Sequence, residues 1–270
     1  MRRSLGIAVA VSLAFTGWAF DAAAVELPEL AEKTKPSVVH LEVLDGGGEV
    51  VGSGTGFFVA SDRILTNEHV VASASGVRAK LSDGRTVETL GLLAADPDRD
   101  LAVLRITGEG LPPPLSLGES TSLKQGEEVV VIGSPRGFAG TLSTGIVSAL
   151  RGEGIDEDLG DGHSARNWAI QITAAISPGS SGSPIMTRDG LVVAVAVGVV
   201  TGGGNIGFGV PIDDAKKLLA GLGDSTEIKP FAHTGEGSPV HRNLVISAVF
   251  FAALVLAFFV PGWVKRRRER

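Results

Sequence analysis

The 270-residue chain contains no cysteine. Disulfide bridges and thiolate metal sites are excluded, so stability has to come from packing even in an oxidising compartment. Positive charge is scarce in the body of the chain. Arg2, Arg3 and the Lys265–Arg270 cluster hold seven of the 24 basic residues, leaving residues 4–264 with 17 basic against 29 acidic side chains, a balance of −12. A surface of that sign argues against a nucleic-acid partner. Helical patterns are missing between most apolar segments, while 37 glycines and 13 prolines are spread through valine-rich stretches. Many short strands joined by turns follow, giving an all-β body rather than a helical bundle.

The two ends differ from the body. Arg2 and Arg3 precede an apolar run from Leu5 to Phe20 that closes on Ala22-Ala23-Ala24. This pattern predicts a secretory signal at residues 1–24, cleaved after Ala24, with an uncleaved anchor as the alternative. Residues 244–264 are uncharged and long enough, at ~1.5 Å per residue, to cross ~30 Å of hydrocarbon as a transmembrane helix. A buried helix or a removable sorting signal are the alternatives. The basic residues 265–270 then lie on the cytoplasmic face. The expectation is a single-pass protein of the bacterial cytoplasmic membrane, its C-terminus cytoplasmic and its folded body periplasmic or extracellular.

Residues 25–222 form the expected folded domain. Leu27, Leu30 and Ala31 mark a short helix that Pro36 ends. Strands follow over Val38–Leu44, Val50–Ala60, Arg63–Leu65, Val77–Leu81, Arg85–Leu93 and Leu101–Ile106. Pro112-Pro113-Pro114 lies in a composition break, Gly108–Gly126, that separates two halves at about 37–107 and 115–212. The second half has strand candidates at Glu128–Ile132, Thr141–Leu150, Trp168–Ile176, Pro184–Met186, Leu191–Val200 and Ile206–Ile212. Two similar β halves without intervening helices suggest two packed barrels. Arg151–Asn167 is an acidic loop, Ala215–Leu222 an N-capped helix, and residues 223–243 a polar linker.

Ser177-Pro178-Gly179-Ser180-Ser181-Gly182-Ser183-Pro184 reads as a tight turn that presents the Ser181 hydroxyl. Such a loop can aim two backbone N–H groups into one concavity, as acyl transfer requires. Gly, Ser and Pro are also ordinary turn residues, so the motif needs partners. His69 ends an apolar strand in Thr66-Asn67-Glu68-His69-Val70-Val71. Asp100 joins directly onto the apolar run Leu101–Ile106, where a half-buried carboxylate calls for a partner such as an imidazole N–H. Asp96, Asp98 and Asp100 mimic a calcium loop, but its glycine and distal glutamate are missing and Pro97 does not suit it, so no metal is expected. His69, Asp100 and Ser181 follow the chain order of the two-barrel Ser-His-Asp enzymes. Serine needs a base to take its proton, imidazole serves near pH 7, and a carboxylate fixes the imidazole tautomer.

With these blocks the chain resembles the trypsin-like serine peptidases of the HtrA/Deg type, over roughly residues 26–222. The Thr-Asn-x-His-Val-Val block and the Pro-Gly-x-Ser-Gly block are the most specific. The resemblance implies two six-stranded antiparallel barrels with the site in the cleft between them. It implies Ser181 as nucleophile, His69 as general base and then acid, Asp100 as orienter of His69, and the backbone N–H groups of Gly179 and Ser181 as oxyanion hole. Polypeptide substrates and no cofactor are implied, and trimerisation, common in the family, rests on the resemblance alone. Ser180 stands where digestive trypsins carry the aspartate of their zymogen switch, and Ser183 replaces a glycine. Ala175, six residues before Ser181, lies at the base of the specificity pocket with Ile176 beside it, which implies a preference for small or medium apolar side chains. The family's common PDZ domains have no counterpart here, where a linker and a span are expected instead. The function expected is a serine endopeptidase acting on unfolded or specific envelope proteins. The alternative is a catalytically silent, protease-like peptide-binding or chaperone module.

Overall fold

A computed structural model describes residues 26–138, 140–151, 170–199, 206–223 and 227–231. The signal segment, the acidic loop and the apolar segment 244–264 lie outside the described residues. Among the described residues no helix is long and apolar enough to cross a membrane.

The chain forms two closed antiparallel barrels of six strands each. The first holds β1 (Val38–Leu44), β2 (Val50–Ala60), β3 (Arg63–Thr66), β4 (Gly76–Lys80), β5 (Thr86–Asp96) and β6 (Leu101–Ile106) in the order β1-β2-β3-β6-β5-β4. The second holds β7 (Glu128–Gly133), β8 (Thr141–Leu150), β9 (Ile170–Ile172), β10 (Pro184–Met186), β11 (Val192–Val199) and β12 (Gly207–Pro211) in the order β7-β8-β9-β12-β11-β10. The two halves thus repeat one topology, and closure leaves neither with an open sheet edge. Among the described residues three α-helices accompany the barrels: α1 (Leu27–Thr34), the single turn α2 (Glu68–Val71) and α3 (Ile212–Leu222).

Strand alternation sorts the apolar side chains. On β6, Ala102, Leu104 and Ile106 fill the first barrel. Their neighbours Leu101 and Val103 face outward into a second core that also takes Ile132, Val195 and Val210 from the other barrel, with Leu30 of α1 and Ala215 of α3. Val129, Val131 and Ile172 fill the second barrel. The largest of the three cores is therefore the seam between the barrels, and the site lies along that seam.

The segment between the halves is not a free linker. Leu115, the first residue after the three prolines able to donate, gives its N–H to the Phe58 carbonyl of the first barrel (2.9 Å), and Gly118 donates to Val192 of the second (2.8 Å). The expected cap of α3 also differs. Pro211 occupies the N-cap, and no side chain caps the helix. The Asp213 carboxylate instead takes the N–H groups of Ser120 and Thr121 at 2.9 and 3.3 Å, tying α3 to the connecting segment. Beyond α3 the chain returns to the first barrel as a short strap. Leu92 and Lys229 exchange both backbone hydrogen bonds (2.9 and 2.8 Å), and Phe231 packs against the first barrel's core. A bulge in β5 between Leu92 and Ala94 disrupts the ladder beside this contact.

Candidate active site

His69 lies on α2, immediately after β3. Gly54 makes room for this turn, because a Cβ there would stand 2.6 Å from Val70 Cγ1. Asn67, wholly buried, precedes the turn and donates from Nδ2 to the Asp100 carbonyl at 2.9 Å. Asp100 has φ 53, the only positive value at a non-glycine residue among the described residues. That left-handed backbone costs on the order of 1 kcal/mol, and a dense set of hydrogen bonds offsets it. The carboxylate Oδ1 accepts the His69 backbone N–H at 2.8 Å, and Oδ2 meets His69 Nδ1 at 2.7 Å. A carboxylate only accepts, so Nδ1 carries a proton, and the tautomer this contact selects has its lone pair on Nε2. Both side chains are about four-fifths covered, which limits water's competition for this contact.

Ser181 sits at the corner of two consecutive turns. The Ser180 N–H donates to the Ser177 carbonyl (2.8 Å), with Pro178 second and Gly179 third at φ 93. That is the signature of a type II turn. The Ser183 N–H then donates to the Ser180 carbonyl (3.0 Å), with Gly182 third at φ 86. Ser180 is buried and its hydroxyl stands 3.4 Å from the Ser177 N–H, so this side chain braces its own turn. The Gly182 N–H goes to Ala196 of β11 at 2.8 Å. The Ser181 hydroxyl donates to the Val197 carbonyl at 2.8 Å, where β11 shifts register between Ala196 and Gly198. Among the described residues, the N–H groups of Gly179 and Ser181 meet no acceptor, whereas those of Ser180, Gly182 and Ser183 are all engaged.

His69 and Ser181 line one cleft of about 190 Å³, walled by first-barrel residues that include Val43, Val51, Ser53 and Ser73. On the second barrel, Ala175 is exposed and its carbonyl accepts from the Ser143 hydroxyl at 2.9 Å. Ile176 is half-buried and packs onto the second barrel's core. Among the described residues no cluster of three His, Asp or Glu side chains stands close enough to hold a metal ion.

The model of the trypsin-like peptidase domain matches residues 54–195, just over half of the chain. The chain belongs to the trypsin-like peptidases, of the HtrA type. Similar curated proteins include the mitochondrial serine protease HTRA2 of Bos taurus, 40% identical over 72% of this chain and 42% of that protein. A probable periplasmic serine endoprotease, DegP-like, of Hahella chejuensis is 40% identical over 68% of this chain and 38% of its own length. The chain thus spans less than half the length of these curated relatives. Among solved structures, an HtrA-type protease, AlgW, with a tripeptide superposes at a TM-score of 0.62 with 30% identity, covering 72% of this chain and 62% of the other.

Two roles at this site carry no mark in a single sequence. Asn67 falls within the Thr-Asn-x-His-Val-Val block, but its hydrogen bond to the Asp100 carbonyl is not legible there. Thr55, which joins the first barrel to the Ser181 loop, stands as an ordinary residue between two strand glycines.

Proposed function

We propose that the chain is a serine endopeptidase in which Ser181 attacks the scissile carbonyl, His69 takes and returns the proton, and Asp100 holds the imidazole tautomer. The observation that carries this reading is the pair of Asp100–His69 hydrogen bonds, which selects the imidazole tautomer with Nε2 as the basic nitrogen, on a ring that lines the same cleft as Ser181. For transfer, the Ser181 proton turns from the Val197 carbonyl towards His69. The Gly179 and Ser181 N–H groups stabilise the oxyanion, a reading supported by the positive φ of Gly179 and by the engagement of the intervening Ser180 N–H elsewhere.

The leaving amine takes its proton from His69, so leaving-group residues occupy the first-barrel cleft. The acyl side chain faces Ala175 and Ile176, which are uncharged and favour small or medium apolar groups. Unfolded or specific envelope proteins are the substrates that fit the export signal and the C-terminal apolar segment. These same segments support a body facing the periplasm or cell exterior, held to the cytoplasmic membrane by residues 244–264 with a cytoplasmic tail. Protease accessibility of the body in spheroplasts tests that placement; protection of the body in intact spheroplasts overturns it.

Full-length protein in detergent, incubated with casein and separately with a fluorophosphonate probe, tests the chemistry. Wild type cleaves and is labelled, and Ser181→Ala loses about 10⁴-fold or more of the activity together with the label. Equal behaviour of the two proteins overturns the peptidase reading in favour of a binding module.

A further inference from the structure

We infer that Thr55, on the first barrel, is a positioning residue for the oxyanion hole on the second. The inference rests on the peptidase reading above. Thr55 is wholly buried in β2 and makes four hydrogen bonds outside its own ladder. Its N–H donates to the Ser181 carbonyl at 2.8 Å. Its hydroxyl donates to the Gly179 carbonyl at 2.7 Å and accepts the Ser134 N–H, just beyond β7, at 3.0 Å. Its carbonyl takes the Thr66 hydroxyl at 2.7 Å, which fixes Thr55 to the strand that leads into His69.

These contacts bear on the hole through the planarity of the peptide unit. In a trans peptide the carbonyl and the following N–H point in opposite directions, so holding one aims the other. Thr55 holds the carbonyls of Gly179 and Ser181, which fixes the 179–180 and 181–182 planes on either side of the 180–181 plane. The 180–181 plane carries the Ser181 N–H, and its Ser180 carbonyl is held by Ser183. Of these three planes only 180–181 carries a donor of the hole, and Thr55 bears on it by fixing both planes that flank it; the Gly179 N–H belongs to the 178–179 plane, which meets the held 179–180 plane at the Gly179 Cα. A hydroxyl is needed because one atom has to donate to Gly179 and accept from Ser134 at once. Valine matches the shape of threonine but does neither, and takes the partner from the part-buried Gly179 carbonyl and the buried Ser134 N–H.

The test compares wild type, Thr55→Val and Thr55→Ser as full-length protein in detergent. In Thr55→Val, kcat per probe-titrated site falls by about 10–100-fold, less than the 10²–10³-fold typical of losing an oxyanion donor outright. Affinity for a peptide boronate, whose adduct places a negative oxygen in the hole, falls in proportion to kcat/KM. Affinity of the Ser181→Ala background for an uncleaved peptide stays within about twofold on adding Thr55→Val, and Thr55→Ser restores kcat to within about threefold of wild type. A wild-type kcat in Thr55→Val overturns the inference. So does equal damage in Thr55→Ser, or a loss of peptide affinity that matches the loss of kcat, since each marks a purely structural role. Failure of wild type to cleave or to react with the probe overturns the peptidase reading and the inference with it; reaction of wild type and Thr55→Val at equal rates overturns the inference alone.

Discussion

The two barrels share a topology but hold their parts of the site by opposite means. In the first, His69 and Asp100 fix each other through side-chain contacts, with Asn67 bracing the Asp100 carbonyl, and every group belongs to the same barrel. In the second, Ser181 is set by backbone turns whose carbonyls are gripped from outside, two of them by Thr55 of the first barrel. The His69–Asp100 pair is therefore a self-contained unit, whereas the Ser181 loop depends on the seam. Damage to the first is expected to show in chemistry, and damage to the second in chemistry and stability together.

Asp100→Asn is the sharpest way to break the self-contained half. The amide in place of the carboxylate permits the wrong imidazole tautomer, and kcat is expected to fall about 10⁴-fold. Reaction with the fluorophosphonate probe slows in parallel, while the thermal midpoint changes little; a fall of less than tenfold contradicts the assigned role of Asp100.

Gly182→Ala breaks the seam itself. A Cβ there would stand 2.0 Å from the Thr55 carbonyl oxygen and 2.4 Å from Thr66 Oγ1, at a φ of 86. Backbone strain and overpacking together predict a loss of about 3 kcal/mol or more in denaturant unfolding, along with activity. A variant of unchanged stability removes the case for a tight seam.

The smallest effect concerns pH. Among the described residues both histidines, His40 and His69, belong to the first barrel. Burial pushes the pKa of His40 below its ordinary 6.5, and nearby Lys80 adds to this, against the opposing pull of Glu42 and a hydrogen bond with the Gly54 backbone. The unfolded chain therefore binds the proton more readily than the folded one. Stability contributed by neutral His40 is present above 6.5 and is lost as pH falls through 6.5 towards the lower folded value. Unfolding measured at neutral and mildly acidic pH is expected to show this loss, and His40→Gln to reduce it. Hydrogen exchange at acid pH should rise first in β1 and β4; a rise that begins in the second barrel contradicts the assignment.

Much of the fold was legible because it depends on patterns within short stretches. Alternating apolar residues and Gly/Pro turns mark the strands, and the residue types and chain order of His69, Asp100 and Ser181 suggest their chemistry. What was not legible depends on partners far apart. Thr55 and Gly179 are 124 positions apart, and nothing in Gly54-Thr55-Gly56 distinguishes a hydroxyl that reaches another barrel from one that faces water. Asp213 resembles a helix cap by position, yet its carboxylate accepts from Ser120 and Thr121 of the connecting segment, 93 and 92 positions away. The left-handed backbone of Asp100 has no compositional sign either, because aspartate adopts it only where the surroundings hold it there.

The strap at Lys229 changes how the body responds to mechanical tension. A pull along the chain beyond Phe231 is borne first by the Leu92–Lys229 pair and by β5, and so by the barrel that carries His69 and Asp100. The Ser181 barrel, which precedes the strap in the chain through β12 and α3, is loaded after those two hydrogen bonds have parted. Two such bonds, at about 1 kcal/mol each, yield before a closed barrel does. The strap is therefore expected to part before either closed barrel opens.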